Sequence, residues 1–323
     1  MWRRPMYRAV QRAQRNLWGR VFIDLGSDPG DTLYVTGSGR SGTSWVAELL
    51  NHRNNQRYMF EPLTPPHVPQ FAHFVRGQYL RPEEQDPVYR EPIERMLRGS
   101  LRHHWVDHLN CVPFARRRVI KDVYANLLLG WVHANFPMVK IVFVIRHPLA
   151  VMTSRMRLAE VDRHRRFAPE LDRFLKQDHL MADHLAPYED AIRSTTTPPE
   201  QYAFWWCVEN FVPLRQLREG ELHVVLYERL LMEPEEEIPR IAAYLGREFD
   251  PSIYPKMRRR SRTTGYRSAL QQGGDPSTDW MRYWSAEDKR KVITVLARFG
   301  LDAVYTDRPT PRPEGLASLM QGG

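Results

Sequence analysis

The sequence predicts an α/β fold, with a central parallel sheet flanked by helices. Residues 33–50, LYVTGSGRSGTSWVAELL, read as an apolar strand, a loop rich in glycine and serine, and a helix that opens at about Thr43. Residues 139–157 begin with a continuous apolar run that is too short to span a bilayer and suits a strand buried on both faces. Strands that alternate with helices imply right-handed crossovers, so we expect a ligand at the carboxyl ends of the strands.

The loop after the first strand is suited to binding an anion. Its glycines Gly37, Gly39 and Gly42 let backbone N–H groups turn toward a ligand, and the next helix adds free donors and the positive end of its dipole. The loop nearly matches the GxxxxGK(S/T) pattern of nucleoside-triphosphate enzymes, but Thr43 stands where that pattern has its lysine, and Arg40 lies inside the loop. We therefore expect a nucleotide bound without the usual grip on a β/γ-phosphate pair beside Mg²⁺. The alternative is an ordinary tight turn, which glycine and serine also favour.

The second apolar strand ends at another anion-binding pattern. Arg146 follows the strand, Pro148 fits a first helical turn, and Ser154 lies further along the same helix. Both side chains can reach one anion, the guanidinium through two parallel charge-assisted bonds and the hydroxyl through a third. The alternative is that Arg146 only ends the strand and Ser154 lies on a solvated helix face.

Both patterns resemble those of the sulfotransferases that use 3′-phosphoadenosine 5′-phosphosulfate (PAPS). The string RSGTSW at 40–45 is similar to the family's 5′-phosphosulfate loop, and Arg146 with Ser154 is similar to its 3′-phosphate motif. The resemblance covers residues 32–307 and implies a P-loop-like sulfotransferase fold, PAPS as the donor, the product nucleotide PAP, and no metal. It assigns nucleotide binding to Ser38, Gly39, Arg40, Ser41, Gly42, Thr43, Ser44, Trp45, Arg146 and Ser154.

Weaker similarities follow in the family's order. Residues 222–234 read as a short strand and a helix start, and Ser285 suggests the N-cap of a late amphipathic helix. The family also brings a late basic segment over the 3′-phosphate, and RRRSR at 258–262 resembles it. This similarity implies nucleotide contacts from Arg260, Arg262 and Gly265.

Sulfuryl transfer needs charge stabilisation on the bridging oxygen and a base for the acceptor hydroxyl. Arg40 is the candidate for the first role, and because a guanidinium does not deprotonate, it acts only electrostatically. Glu61, in RYMFEPL, follows another apolar strand and resembles the Phe/Tyr-Glu-Pro segment of the carbohydrate and tyrosylprotein branches, which makes it the candidate base. Alternatively, Glu61 caps the following turn. Lys121 and His67 are candidate acceptor-site residues, although Lys121 could instead form a plain ion pair with a neighbouring carboxylate.

Composition agrees with one enzyme domain. The 323 residues are 42% hydrophobic and 11% aromatic, which excludes a disordered chain. A net charge of +9 favours anionic partners, but the basic residues are scattered and show no nucleic-acid-binding pattern, so no nucleic-acid partner is expected. Cys111 and Cys207 suit a reducing compartment. Because no apolar leader or membrane-spanning run is read, we expect a cytoplasmic location.

The chain is expected to divide into a basic N-terminal segment (1–31), a sulfotransferase domain (32–310) and a flexible tail (311–323). Residues 1–20 form a helical candidate that could dock on the domain, fray or lie on a membrane surface. Within the domain, a helical insertion at 155–218 is expected to form a lid over the acceptor site.

The sequence therefore predicts a PAPS-dependent sulfotransferase that acts on a hydroxyl acceptor by in-line transfer. Arginine-rich insertions and the Glu-Pro segment favour a saccharide or glycolipid, while a phenol, a steroid and a peptide tyrosine stay open. The alternative functions are a P-loop kinase that uses ATP and Mg²⁺, and a nucleotide-binding module without turnover. Arg40, Arg146 and Ser154 disfavour the kinase, and Glu61 disfavours the passive module. The sequence carries no signal for the oligomeric state.

Overall fold

The computed structural model of the chain describes residues 22–161, 169–259, 261–263 and 274–320. The strands in these ranges are β1 (Ile23–Asp24), β2 (Thr32–Thr36), β3 (Arg57–Phe60), β4 (Phe114–Ala115), β5 (Arg118–Lys121), β6 (Lys140–Ile145) and β7 (His223–Leu226). Five of them form one parallel sheet in the order β3-β5-β2-β6-β7, and β1 pairs with β4 in a separate parallel ribbon. The predicted α/β class with a central parallel sheet is confirmed.

Helices join the strands and cover the sheet. The described α-helices are α1 (Thr43–Leu50), α2 (Pro87–Leu97), α3 (His104–Asp107), α4 (Leu129–Asn135), α5 (Pro148–Val161), α6 (Leu171–Leu175), α7 (Asp178–Leu180), α8 (Glu189–Arg193), α9 (Pro198–Gln216), α10 (Tyr227–Met232), α11 (Pro234–Leu245), α12 (Ile253–Met257), α13 (Ala286–Arg298) and α14 (Glu314–Met320). A π-helical turn, Met181–Leu185, continues α7. Short 3-10 turns lie at Pro29–Asp31, Pro69–Phe71, Asn126–Leu128, Ala186–Tyr188, Asp279–Arg282 and Leu301–Ala303.

Both faces of the sheet are buried, which explains the uninterrupted apolar runs of its strands. On β2, Leu33 and Val35 belong to one hydrophobic cluster and Tyr34 to another, because successive residues of a strand point to opposite faces. The first cluster lies under α1 and α11, and the second under α9 and α13. The carboxyl ends of all five strands lie at one edge, and the register sets Lys121 beside Phe60 and Val35 there.

Described residues before position 32, the predicted start of the domain, also belong to the fold. Asp24 on β1 forms ion pairs with Arg57 and Arg118, whose side chains are fully buried at the opposite edge of the sheet. Arg57 also pairs with the buried Asp107, its Nε lying 2.8 Å from Oδ1. Residues 22–31 are therefore part of the domain, because two buried guanidinium groups need this carboxylate. The helix predicted for residues 1–20 lies outside the described residues.

The described helices between residues 155 and 218 are the end of α5 and the whole of α6, α7, α8 and α9. The last of them, α9, belongs to the core, because Trp206 and Asn210 are fully buried. The lid role stays a prediction for the remainder of the insertion. The fold also extends beyond the predicted boundary at residue 310, since α14 packs against α9 and buries Leu319. Within the described ranges, no helix combines the length and the apolar character needed to cross a bilayer.

Candidate active site

The loop between β2 and α1 is shaped by glycines that no other residue could replace without strain. Gly37 has a φ of 149°, and a Cβ there would lie 2.1 Å from the backbone oxygen of Val144 on β6. Gly42 has a φ of 93°, and a Cβ there would lie 2.5 Å from ring atoms of Tyr227. Arg40 itself has a φ of 81°, which is uncommon for a residue with a side chain. The loop is thus held in a tight curve around the start of α1.

The inside of this curve offers hydrogen-bond donors. Gly42 is the N-cap of α1 and has no side chain to cap it, so N–H groups of the first turn are left for a ligand. The Ser41 hydroxyl is buried and has no hydrogen-bond partner among the described residues. Ser38 is held in place by Asn210, whose Nδ2 donates to its Oγ at 3.1 Å. Thr43, where the kinase pattern has lysine, is buried.

The two anion-binding patterns of the sequence meet beside this loop. Arg40 Nε donates a hydrogen bond of 3.0 Å to Ser154 Oγ on α5. Arg146, at the end of β6, donates from Nη1 to the Arg40 carbonyl at 3.1 Å and from Nη2 to the Pro276 carbonyl at 2.6 Å. The Nε atom of Arg146 is buried without a partner in the described part of the chain. The structure therefore brings together two arginines and a serine around one loop.

Aromatic rings border the same edge. Trp45, half-buried in the first turn of α1 beside Ser44, meets Tyr227 edge-on with ring centroids 5.5 Å apart. The Arg146 guanidinium also contacts Tyr227, with its carbon 4.6 Å from the ring centroid. Trp280 is fully buried and stacks on His147 at 4.1 Å, so it is a core residue.

Glu61 and Lys121 end adjacent strands and form an ion pair. Lys121 Nζ donates to Glu61 Oε1, and the Glu61 N–H donates to the Lys121 carbonyl at 2.7 Å. Glu61 has a φ of 41°, and its carbonyl accepts a 3.2 Å hydrogen bond from Trp105 Nε1. Glu61 is half-buried and Lys121 is nearly fully buried. This geometry realises the ion pair that the sequence left as an alternative role for Lys121.

Asp122 orders the turn that carries Glu61, a role that the sequence did not indicate. Its buried carboxyl group accepts hydrogen bonds from the N–H groups of Leu63 and Tyr124, both at 2.8 Å. Burial raises the pKa of Asp122 to about 7, and the two N–H bonds oppose this shift. The only signal in the sequence was the place of Asp122 directly after Lys121, at the end of an apolar strand.

Arg155 and Glu209 form a second pair that the sequence did not single out. Arg155 Nε donates to the Gly39 carbonyl at 3.3 Å, and its Nη2 lies 3.3 Å from Glu209 Oε2. Trp205 Nε1 donates to the other carboxylate oxygen of Glu209 at 2.8 Å. Burial lowers the pKa of Arg155, and Glu209 opposes the shift. Residues of α9 thereby hold Arg155 of α5 against the glycine loop.

Four further predicted site residues lie apart from this cluster or outside the described residues. His67 is exposed and stacks on Trp105, with ring centroids 3.9 Å apart. Arg262 pairs with Glu48 of α1, its Nε lying 3.3 Å from Oε1, and covers the Tyr58 ring at 5.0 Å. It is not brought to Arg146 and Ser154. Arg260 and Gly265 lie outside the described residues. No group of three or more metal-ligating side chains is formed by the residues that the structure describes.

In the central parallel sheet, β2 leads into a glycine-rich loop and then into a helix whose N-terminus has no side-chain cap. This arrangement is typical of a nucleotide-binding fold of the P-loop type. The model of a sulfotransferase family matches residues 32–251, more than half of the chain. The chain belongs to this sulfotransferase family, and the family, the fold class and the enzyme class predicted from its sequence are confirmed.

Solved structures similar to the chain include further sulfotransferases. The sulfotransferase domain from the curacin biosynthetic pathway is 13% identical, covers 82% of this chain and 96% of its own, and has a TM-score of 0.44. Retinol dehydratase in complex with retinol and PAP is 19% identical, with 88% and 84% coverage and a TM-score of 0.44. Mouse sulfotransferase SULT7A1 complexed with PAP is 12% identical, with 90% coverage of both chains and a TM-score of 0.41. No curated protein matches the chain.

Proposed function

We propose that the protein transfers a sulfuryl group from PAPS to a hydroxyl acceptor, and that a saccharide or glycolipid is the favoured acceptor. The observation that carries the proposal is the convergence of an uncapped helix N-terminus, Arg40, Arg146 and Ser154 at one edge of the sheet. This combination suits a nucleotide with two separate anionic groups, one at each end of the ribose. A buried threonine in place of the P-loop lysine favours such a nucleotide over ATP with Mg²⁺.

The donor would be held at three points. Backbone N–H groups in the first turn of α1 and the Ser41 hydroxyl, which has no partner among the described residues, would face the 5′-phosphosulfate. Ser154 and the free Nε of Arg146 take the 3′-phosphate, with the two Nη groups of Arg146 fixed by carbonyl acceptors. The half-buried ring of Trp45 beside Tyr227 offers a surface for the adenine. Arg262 already pairs with Glu48, so we propose that it supports the late basic segment, and the contacts of Arg260 and Gly265 stay predictions.

Glu61 and Arg40 would share the chemical step. Glu61 removes the proton from the acceptor hydroxyl, whose oxygen then forms the new bond to sulfur. The bond between sulfur and the bridging oxygen of PAPS breaks in line with this attack, and PAP leaves with the electron pair. Arg40 stabilises the negative charge that develops on the bridging oxygen, and it keeps its own protons throughout. Lys121, bonded to Glu61, both orients this carboxylate and adds positive charge beside the transferring group.

Binding of PAP and AMP tests the donor assignment. We expect calorimetry to show tighter binding of PAP than of AMP, and we expect Arg146→Ala to remove most of this preference, at a cost of about 1.5 to 3 kcal/mol for a charged hydrogen bond. Arg298→Ala is the matched control, because Arg298 is exposed on α13. Equal affinity of the wild-type protein for the two nucleotides would contradict the proposed 3′-phosphate site.

A further inference from the structure

An arginine that the site described above does not use, Arg76, lies against two aromatic rings. The Arg76 guanidinium carbon lies 4.8 Å from the ring centroid of Tyr124 and 5.3 Å from that of Trp205. Tyr124 follows β5 by three residues, and Trp205 belongs to α9, so rings from two separate parts of the fold contact the cation. Contact with two rings restricts the orientation of a guanidinium, and its N–H groups stay the donors for a polar partner.

Within the described ranges, the half-buried Arg76 lacks the acceptors that the buried arginines have. Arg57 and Arg118 donate to carboxylate and carbonyl oxygens, and Arg155 donates to Glu209 and to a backbone carbonyl. The Nε atom of Arg76, in contrast, is buried with no hydrogen-bond partner, and no carboxylate of the described residues pairs with its guanidinium. An unsatisfied buried donor is destabilising, and more so when it is charged. A bound anion would supply the missing acceptor.

Tyr124 connects Arg76 to the turn that carries the proposed base, through its ring contact with Arg76 and its hydrogen bond to Asp122. Burial raises the pKa of the Tyr124 phenol, Arg76 opposes this shift, and the nearby charge of Glu61 adds to it. The phenol therefore lies within the electrostatic reach of both Arg76 and Glu61. Tyr124 is also tied through its N–H to Asp122, which orders the Glu61 turn. A molecule whose hydroxyl reaches Glu61 would extend along Tyr124 toward Arg76.

We propose that Arg76 binds a carboxylate of the acceptor, so that the preferred acceptors are hydroxyl compounds that carry a carboxylate. This inference rests on the proposed sulfuryl transfer and assigns the acceptor class for the same site. A planar guanidinium edge donates two parallel hydrogen bonds to a carboxylate, and this match makes the carboxylate its best partner. Such a carboxylate is found both on uronic-acid sugars and on phenolic acids, and the two flanking rings suit either skeleton.

Two matched pairs of acceptors separate these sources. The first pair is 4-nitrophenyl β-glucuronide and 4-nitrophenyl β-glucoside, and the second is 4-hydroxyphenylacetate and its methyl ester. Sulfation from PAPS is measured for the wild-type enzyme, for Arg76→Gln, for Arg76→Lys and for the control Arg298→Gln. We expect the acid of at least one pair to exceed its neutral partner in kcat/KM by about tenfold or more, mainly through KM.

The variants show whether this preference belongs to Arg76. Arg76→Gln should bring the acid to near parity with the neutral compound while leaving the neutral compound's kcat/KM nearly unchanged, and Arg76→Lys should keep part of the preference. Arg298→Gln should behave as the wild type does. Thermal unfolding of each variant shows whether the fold is retained. A neutral compound that is equal or preferred in both pairs, or a preference that survives in Arg76→Gln, would overturn the inference.

Failure of the inference can be told from failure of the proposed function. If PAP binds and neutral acceptors are sulfated as well as acids, only the Arg76 assignment is wrong. If PAP binds no better than AMP and PAPS is not consumed, the proposed function itself fails. If PAP binds but no acceptor turns over, calorimetry with the PAP-loaded protein decides: binding of an acid but not its neutral partner, lost in Arg76→Gln, supports the inference, and no difference overturns it.

Discussion

Replacement of Gly37 by alanine should strongly destabilise the protein, whereas the same change at Gly39 in the same loop should not. At Gly37 the new Cβ would lie 2.1 Å from the backbone oxygen of Val144 and 3.2 Å from Thr43 Cγ2. Val144 cannot move away, because β6 is paired on both sides, with β2 and with β7. The backbone φ of 149° adds strain for any residue with a Cβ.

The expected cost combines these two effects. Overpacking costs about 1 to 3 kcal/mol and an unfavourable backbone conformation costs about 1 to 3 kcal/mol, which together give about 2 to 6 kcal/mol. At Gly39 the nearest atoms to a new Cβ are 3.9 and 4.0 Å away, so Gly39→Ala should change stability by no more than about 1 kcal/mol. Urea unfolding followed by tryptophan fluorescence measures both variants. Free energies of unfolding that agree within about 1 kcal/mol for the two variants would refute the reasoning.

Three other predictions concern the reaction, its metal requirement and the pH dependence of stability. Glu61→Gln should lower kcat by about 10² to 10⁴ with PAP affinity unchanged, whereas Arg40→Ala should weaken both; normal turnover of Glu61→Gln at saturating substrates would exclude Glu61 as the base. Activity should survive EDTA without ATP hydrolysis, and a requirement for Mg²⁺ with ADP release would show a kinase instead. Burial lowers the pKa of His147 to about 3 in the folded state, against about 6.5 in an unfolded chain. The free energy of unfolding should therefore fall as the pH drops from 6.5 toward 3, and His147→Gln should flatten this slope in urea titrations at several pH values; an unchanged slope would contradict the assignment.

The fold was predictable because its strongest determinants are local in sequence. Leu33 and Val35 alternate with Tyr34 between two buried faces, so the three central positions of β2 are apolar and this run indicates a central strand. The boundaries were less predictable. The roles of Asp24 and Leu319 depend on partners far away in the chain, and neither residue stands out by its own spacing.

The residues of the candidate site likewise divide into those that could be predicted from the sequence and those that could not. Gly37, Gly42 and Arg40 lie within a few residues of one another, so their pattern could be read directly, and Glu61 and Lys121 could be paired because both end apolar strands. Arg76 could not be identified as a site residue from the sequence. It lies in an irregular, proline-rich stretch, and its proposed role depends on Tyr124 and Trp205, whose rings the fold brings against its guanidinium.

The buried arginines at the far edge of the sheet bear on where the chain can be shortened. A shorter chain that began at Thr32 would keep the whole family match yet lose Asp24, the carboxylate that Arg118 contacts at 3.0 Å. Arg118 would also lose its carbonyl acceptors at Gly26 and Asp28. Removing one partner of a buried ion pair costs about 3 to 5 kcal/mol, a large part of the 5 to 15 kcal/mol that holds an ordinary domain together. Residues 22–31, which precede the family match, are thus needed for the stability of the domain. An enzyme that begins at Thr32 should give a low yield of folded protein, even though it still contains every residue of the candidate active site.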